Sequence, residues 1–298
     1  MELDAVSHLR LHQKDNLLSN NGMEVITLPN YTTAFEFEWK FDHIESQQWM
    51  EENWTSAFYY IGAYMAIIFL GQSWMKDRPR FELRVPLVIW NFSLAAFSIL
   101  GTYRTLPEIF HILNRKNGFH HSVCFPSYGH NQVWAFYAYA FVLSKVPELG
   151  DTIFIVLRKQ PLIFLHWYHH ITVLLYSWYS YSEYIAPARW YIVSNFLVHS
   201  FMYTYYGLKA CRVRIYKPIA VMITSLQLVQ MCIGVIVNVH AYQAKQSGLA
   251  CDVSDRNINL CLIMYSSYFI LFARFFYKAY LHKKPFDHKE KMSQRKLQ

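Results

Sequence analysis

His166, His169 and His170 stand at positions i, i+3 and i+4 of an apolar stretch, Pro161 to Tyr181. On an α-helix these positions fall within roughly 100° of arc, so three imidazoles project from one face. A lone histidine in an apolar helix is usually a hydrogen-bonded core residue. Three on one face are hard to satisfy structurally, and ionisable groups at membrane depth mark functional sites. A second stripe follows, where Asn195, His199, Met202, Tyr203 and Tyr206 share a face and Tyr205 falls outside it. As an antiparallel neighbour this helix can bring His199 opposite the first cluster; a hydrogen-bonded polar helix interface is the plainer alternative. The third group is Lys145, Glu148, Asp151 and Thr152. Lys145, Glu148 and Thr152 share a face, and opposite charges so spaced can neutralise one another. The fourth, Thr224, Gln227 and Gln230, suits either interhelical hydrogen bonding or the lining of a substrate path.

Two chemistries use several buried histidines. Membrane di-iron desaturases and hydroxylases carry HxxHH boxes too, but such centres gather ligands from several histidine clusters. Of the 14 histidines here, His166, His169, His170 and His199 form the central group, while His111, His120, His121, His130 and His240 fall toward one side of the membrane. No metal site is expected. In the second chemistry a desolvated imidazole is acylated by a thioester, and neighbouring groups donate to the developing oxyanion. A seven-helix receptor would share the topology described next, yet it would leave these ionisable residues without a common purpose.

The elements that must position these groups are transmembrane helices. Runs with little or no charge, near the ~20 residues a crossing needs, extend over Asn53 to Met75, Val85 to Tyr103, Trp134 to Leu157, Pro161 to Tyr181, Trp190 to Leu208, Ile219 to Tyr242 and Ile258 to Phe276. The third is interrupted by Lys145, Glu148 and Asp151. Basic residues concentrate in alternate connections: Lys76 to Arg84, then Arg158 and Lys159, then Lys209 to Lys217, then the tail. The positive-inside rule puts that side in the cytosol, with the C-terminus there and the N-terminus in the lumen.

Composition agrees with this class. Of 298 residues 54% are hydrophobic, 18% aromatic and 16% charged, against about 25% charged in ordinary globular domains. Too little charge remains to solvate a normal surface, and the aromatic content excludes whole-chain disorder. The mean hydropathy of +0.08 is modest because Tyr and Trp, abundant here, count as polar on that scale. The net charge of +8 follows the topology, so it is not a nucleic-acid footprint.

The chain divides into a lumenal N-terminal segment (1–52), a seven-helix transmembrane catalytic domain (53–282) and a cytosolic basic tail (283–298). The first segment lacks a basic start followed by an apolar core, so a cleavable signal peptide is not expected. Sequons stand at Asn30 and Asn53, the latter close to the first span; Asn30 is the expected glycosylation site. Among five cysteines, Cys124 and Cys251 both fall in lumenal connections, where a disulfide can persist. The terminal Arg295-Lys296-Leu297-Gln298 approximates a dilysine retrieval signal.

From about residue 35 to 283 the sequence resembles the ELO family of very-long-chain fatty acid elongases. Lys145-Val146-Pro147-Glu148-Leu149-Gly150-Asp151-Thr152 is similar to the family's KxxExxDT block, and His166 to His170 to its HxxHH box. Asn195 to Tyr206 reads as NxxxHxxMYxYY, and Thr224, Gln227 and Gln230 as TxxQxxQ. The resemblance implies an all-α endoplasmic reticulum membrane protein of seven helices, six of them enclosing an acyl tunnel. The implied reaction condenses a long-chain acyl-CoA with malonyl-CoA, giving a 3-oxoacyl-CoA, CO2 and CoA, with no metal or redox cofactor. By position His169 would hold the chain as an acyl-imidazole, His199 and Asn195 would stabilise oxyanions, and His166 and His170 would orient the cluster. Lys145, Arg158 and Lys159 are candidates for CoA phosphates; Glu148, Asp151, Thr152, Met202, Tyr203, Tyr206, Gln227 and Gln230 complete the implied substrate site. Pro161, where elongases of polyunsaturated chains tend to have Gln, and Leu162 to Tyr181 resemble the animal subgroup acting on saturated and monounsaturated chains. Implied partners are membrane lipid, the reductases and dehydratase of the elongation cycle, and a possible second copy of the chain.

Overall fold

The computed structural model describes residues 34–282. The expected Asn30 glycan and the basic tail lie outside these residues. Among those described, the secondary structure is entirely helical. The α-helices are α1 Glu36–Trp39, α2 His43–Asn53, α3 Ala57–Met75, α4 Arg84–Leu113, α5 Gly118–Cys124, α6 Gln132–Glu148, α7 Gly150–Leu157, α8 Phe164–Glu183, α9 Ala188–Ala210, α10 Lys217–Gln246 and α11 Asp255–Phe276.

Among the described residues four stretches are long and apolar enough to cross a membrane: His43–Met75, Arg84–Leu113, Lys217–Gln246 and Asp255–Leu281. They cover the first, second, sixth and seventh apolar runs. The other three runs are also helical, and they carry the lysine, glutamate, histidine and asparagine side chains of the motifs. Several helices outrun the apolar stretch that announces them. α4 continues ten residues beyond Tyr103, because Arg104 and Glu108 are buried in ion pairs: Arg104 Nε lies 3.1 Å from a Glu38 carboxylate oxygen, and Arg189 Nη1 3.2 Å from Glu108 Oε1. Buried charge at the helix end is tolerated when it is so paired.

Packing closes α4, α9, α10, α11, α8 and α6 into a ring, each helix touching the next and α6 returning to α4. α3 lies outside, against α7 and α8. A close seam joins α4 to α9: a Cβ at Gly101 would stand 2.5 Å from the Phe196 ring, so glycine lets these helices approach. The third apolar run is divided at Leu149, following Pro147. There a Cβ at Gly150 would meet the Trp90 indole at 2.8 Å, and that indole donates to Asp151 Oδ1 at 2.6 Å.

At one end of the ring Cys124 and Cys251 form a disulfide, and the Asp252 amide donates to the Cys124 carbonyl at 2.8 Å. The segment after α5 is pinned by Arg189, whose Nη2 donates to the Phe125 carbonyl at 2.8 Å and to Ser127 Oγ at 3.1 Å. Tyr128 is thereby seated across the ring, its hydroxyl donating to the Ile185 carbonyl at 2.8 Å.

Candidate active site

The ring encloses two chambers. The wider, about 610 Å³, runs past the motif histidines to a mouth where Arg158, Gln160, Lys209 and Tyr280 stand. The narrower, about 60 Å³, is walled by aromatic and aliphatic side chains and ends at Tyr128, Tyr181 and Tyr184. His169, Asn195, Gln230 and Met231 line both, so the chambers meet at these four residues.

Helix α8 supplies all three imidazoles, as its i, i+3, i+4 spacing requires, but their surroundings differ. His166 Nε2 lies 2.9 Å from the Thr152 hydroxyl, which is 2.8 Å from the Tyr64 hydroxyl. His170 is buried, its ring centroid 4.5 Å from that of His166. His169 is held through its backbone: the Tyr268 hydroxyl donates to its carbonyl at 3.3 Å, with the two rings 5.0 Å apart. Tyr268 is fixed in turn by Thr172 at 2.5 Å. Of the three, only His169 borders both chambers.

Across from α8, α9 presents Asn195 and His199. Asn195 Nδ2 lies 3.2 Å from His199 Nε2, and Asn195 Oδ1 accepts from Lys145 Nζ at 3.2 Å. Lys145, only 2% exposed, also donates to Glu148 Oε1 at 2.8 Å and lies 4.0 Å above the Phe141 ring. Ser144 Oγ adds a 2.9 Å bond to the same carboxylate oxygen. The other, Glu148 Oε2, is 3.9 Å from His199 Nδ1.

Of the residues marked in the sequence, Asp151, Arg158, Met202, Tyr203, Tyr206, Gln227 and Gln230 line the wide chamber, as do His166, His169, His170, Asn195 and His199. Asp151 is already engaged, accepting from Trp90 and, at 2.8 Å, from Tyr203. Lys145, Glu148 and Thr152 border neither chamber; they stand behind the lining residues and bond to them. Lys159 turns away from the mouth to donate to the carbonyls of Lys76 and Arg78, so the basic residues bordering the wide chamber are Arg158 and Lys209. Helical arc sets Tyr205 apart from the second stripe, yet it lines this chamber, because the mouth widens over more of the α9 surface than the narrow waist does.

Lys209, which the sequence places among the basic connections, lies one turn past the NxxxHxxMYxYY block, and that position is the sequence signal for its place at the mouth. The wall draws on residues more than 50 positions apart, and no local pattern marks it. Among the described residues no group of three or more His, Cys, Asp or Glu is arranged to hold a metal ion.

An all-helical, multi-pass membrane protein with an internal two-chambered cavity and imidazoles at its waist is the class that fold and site define. The model of the ELO (GNS1/SUR4) family matches residues 49–288. A protein of Drosophila melanogaster named very long chain fatty acid elongase 6 is 59% identical over 263 residues, covering 87% of this chain and 83% of its own. The human protein of the same name is 48% identical over 262 residues, covering 88% and 97%. Human very long chain fatty acid elongase 3 is 42% identical over 240 residues, covering 80% and 88%. The chain belongs to the ELO family.

Proposed function

We propose that this protein is a fatty acid elongase condensing enzyme, a 3-oxoacyl-CoA synthase that joins a saturated or monounsaturated long-chain acyl-CoA to malonyl-CoA. The observation that carries this reading is the position of His169 at the junction of a narrow apolar chamber and a wide chamber with a basic mouth. An acyl-CoA has the matching shape: a thin apolar tail, a reactive thioester, and a bulky anionic carrier. The tail enters the narrow chamber, the thioester carbonyl rests at His169, and the phosphates lie toward Arg158 and Lys209.

A His169 ring nitrogen attacks the thioester carbonyl. The C–S bond breaks, and CoA leaves as the thiol with the proton that the imidazole gives up. Malonyl-CoA then enters the wide chamber and loses CO2, and its enolate carbon attacks the acyl-imidazole. The C–N bond breaks, the imidazole takes a proton from water in place of the one that left with CoA, and 3-oxoacyl-CoA departs. Hydrogen-bond donors fixed around the carbonyl oxygen stabilise the charge that develops in both additions. No resident cofactor is needed for this sequence of steps.

Chain length follows from the narrow chamber. From His169 to Tyr181 along α8 is ~18 Å, the extended length of roughly 14 carbons at ~1.25 Å per C–C bond projected on the chain axis, and the narrow chamber, about 60 Å³, widens as a tail of that length enters. Acyl chains near 16 carbons are therefore the preferred substrates. The alternation of basic connections supports seven crossings in the endoplasmic reticulum membrane, the N-terminal segment lumenal and the basic tail cytosolic. The reductases and dehydratase that complete the cycle would act on the product released at the cytosolic mouth.

Purified protein incubated with palmitoyl-CoA and malonyl-CoA should yield 3-oxostearoyl-CoA, followed by mass spectrometry, and His169→Ala and His199→Ala should each abolish it. Folded protein giving no product with any saturated or monounsaturated acyl-CoA from 12 to about 20 carbons, a range set by the same ~1.25 Å per carbon, would refute the reading. Product from His169→Ala would remove the nucleophile and leave the reaction standing.

A further inference from the structure

The polarity of the hydrogen bonds behind the site determines which nitrogen of His199 carries the proton. Amide orientation and imidazole tautomer are ordinarily ambiguous, but here one member of the chain has no choice. Lys145 Nζ is an ammonium beside Glu148 and can only donate. The Asn195 atom 3.2 Å from it must then be the carbonyl oxygen, which turns the Asn195 NH2 toward His199 Nε2, also at 3.2 Å. A nitrogen facing an NH2 donor must offer a lone pair, so Nε2 is unprotonated and the neutral ring carries its hydrogen on Nδ1. Nδ1 faces Glu148 Oε2 at 3.9 Å, longer than a hydrogen bond yet with the carboxylate as its neighbour. Every step agrees: Lys145 donates to Asn195, Asn195 donates to His199, and the nitrogen that keeps the His199 proton has the Glu148 carboxylate as its neighbour.

We propose that Lys145 and Glu148 are positioning residues that act through Asn195 and His199: they hold the His199 proton on Nδ1, so that the Nε2 lone pair accepts one Asn195 Nδ2 hydrogen and the second is the donor available to a developing oxyanion. This rests on the elongase reading and deepens it, and it differs from the donor role that the family resemblance implies for His199. It also explains why a lysine and a glutamate, the most costly side chains to bury, stand behind the chamber walls and border neither chamber. Ser144 and Phe141 complete their shell.

Substituting Glu148→Gln sets the chain at odds with itself. Lys145 donates to Oε1, so the oxygen of the new amide stays there and its NH2 turns toward His199 Nδ1. Two donors then face one neutral imidazole. Lys145→Met instead frees the Asn195 amide to turn over.

The test is 15N NMR of histidine-labelled protein in lipid nanodiscs, with His199→Ala to assign the resonance. Wild-type His199 should be protonated at Nδ1. In Glu148→Gln and in Lys145→Met that population should fall, and in Glu148→Gln kcat should drop roughly a hundredfold to a thousandfold with KM for malonyl-CoA little changed. Nε2 protonation in the wild type would overturn the proposal without reference to any variant, as would a Nδ1 population unaltered in both variants. Turnover of palmitoyl-CoA by the same wild-type sample tests the elongase reading separately, so failure of one is distinguishable from failure of the other.

Discussion

The hydroxyl of Thr152 sits between two elements, 2.9 Å from His166 Nε2 on α8 and 2.8 Å from the Tyr64 hydroxyl on α3. It ties the helix outside the ring to the first imidazole of the cluster. Thr152 is fully buried, so removal of its hydroxyl leaves both partners unsatisfied, a loss of ~1–3 kcal/mol. Thr152→Val should lower kcat roughly tenfold to a hundredfold by releasing the His166 ring, and Thr152→Ser should restore most of it. Steady-state kinetics on the pair, with thermal melting to follow stability, checks this.

The end wall should govern product length. Tyr181 and Tyr184 have ring centroids 5.5 Å apart, and Tyr184 and Tyr128 5.3 Å. Tyr181→Val opens the wall and should extend the longest accepted acyl chain by about two to four carbons. Ser180→Phe fills the same chamber and should shorten it. Competition among acyl-CoAs of graded length, read by mass spectrometry, would show opposite shifts; an unchanged length profile in both variants would remove the wall from specificity.

At the mouth, charge should act on binding alone. Arg158→Gln and Lys209→Gln should each raise KM for both CoA substrates by about threefold to tenfold, the effect shrinking as salt screens the phosphates, with kcat nearly constant. Lys159→Gln should not raise KM, because Lys159 is committed to the Lys76 and Arg78 carbonyls.

Glu108 and Arg189 form a pair in which both side chains are essentially inaccessible to solvent. Breaking it by Arg189→Met strands a buried carboxylate and frees the Phe125–Ser127 segment, at a cost of about 3–5 kcal/mol. The double variant with Glu108→Gln should recover part of this. Thermal inactivation of the detergent-solubilised proteins gives the order: wild type, double variant, single variant.

His121 gives acid sensitivity a local origin. Burial, the Arg189 charge, and more weakly His120 and Arg115 push its pKa down to about 4, and its Nδ1 has no hydrogen-bond partner among the described residues. An unfolded histidine titrates near ~6.5. Between those values the unfolded chain binds the proton and the folded one does not, so stability falls as pH drops from about 6.5 to about 4. Above that window both states are neutral and the contribution is constant. His121→Phe should therefore melt with a shallower pH dependence across it, and a slope identical to wild type would refute the assignment.

The sequence by itself determined which helix face carries the imidazoles. Spacing of i, i+3, i+4 places His166, His169 and His170 together on any α-helix, because it depends on local periodicity alone. Cys124 and Cys251 were marked by the side on which their connections fall. What periodicity could not separate was the three imidazoles. All share the face, and only the meeting of two chambers, formed by helices far apart in the chain, distinguishes His169. Nor could it say that Lys145 serves Asn195, 50 residues away, in preference to a ligand, or that Tyr128, Tyr181 and Tyr184 converge into a wall. These relationships depend on how helices pack side by side, and packing is decided by the shape and polarity of whole surfaces, to which no single segment's pattern is sufficient.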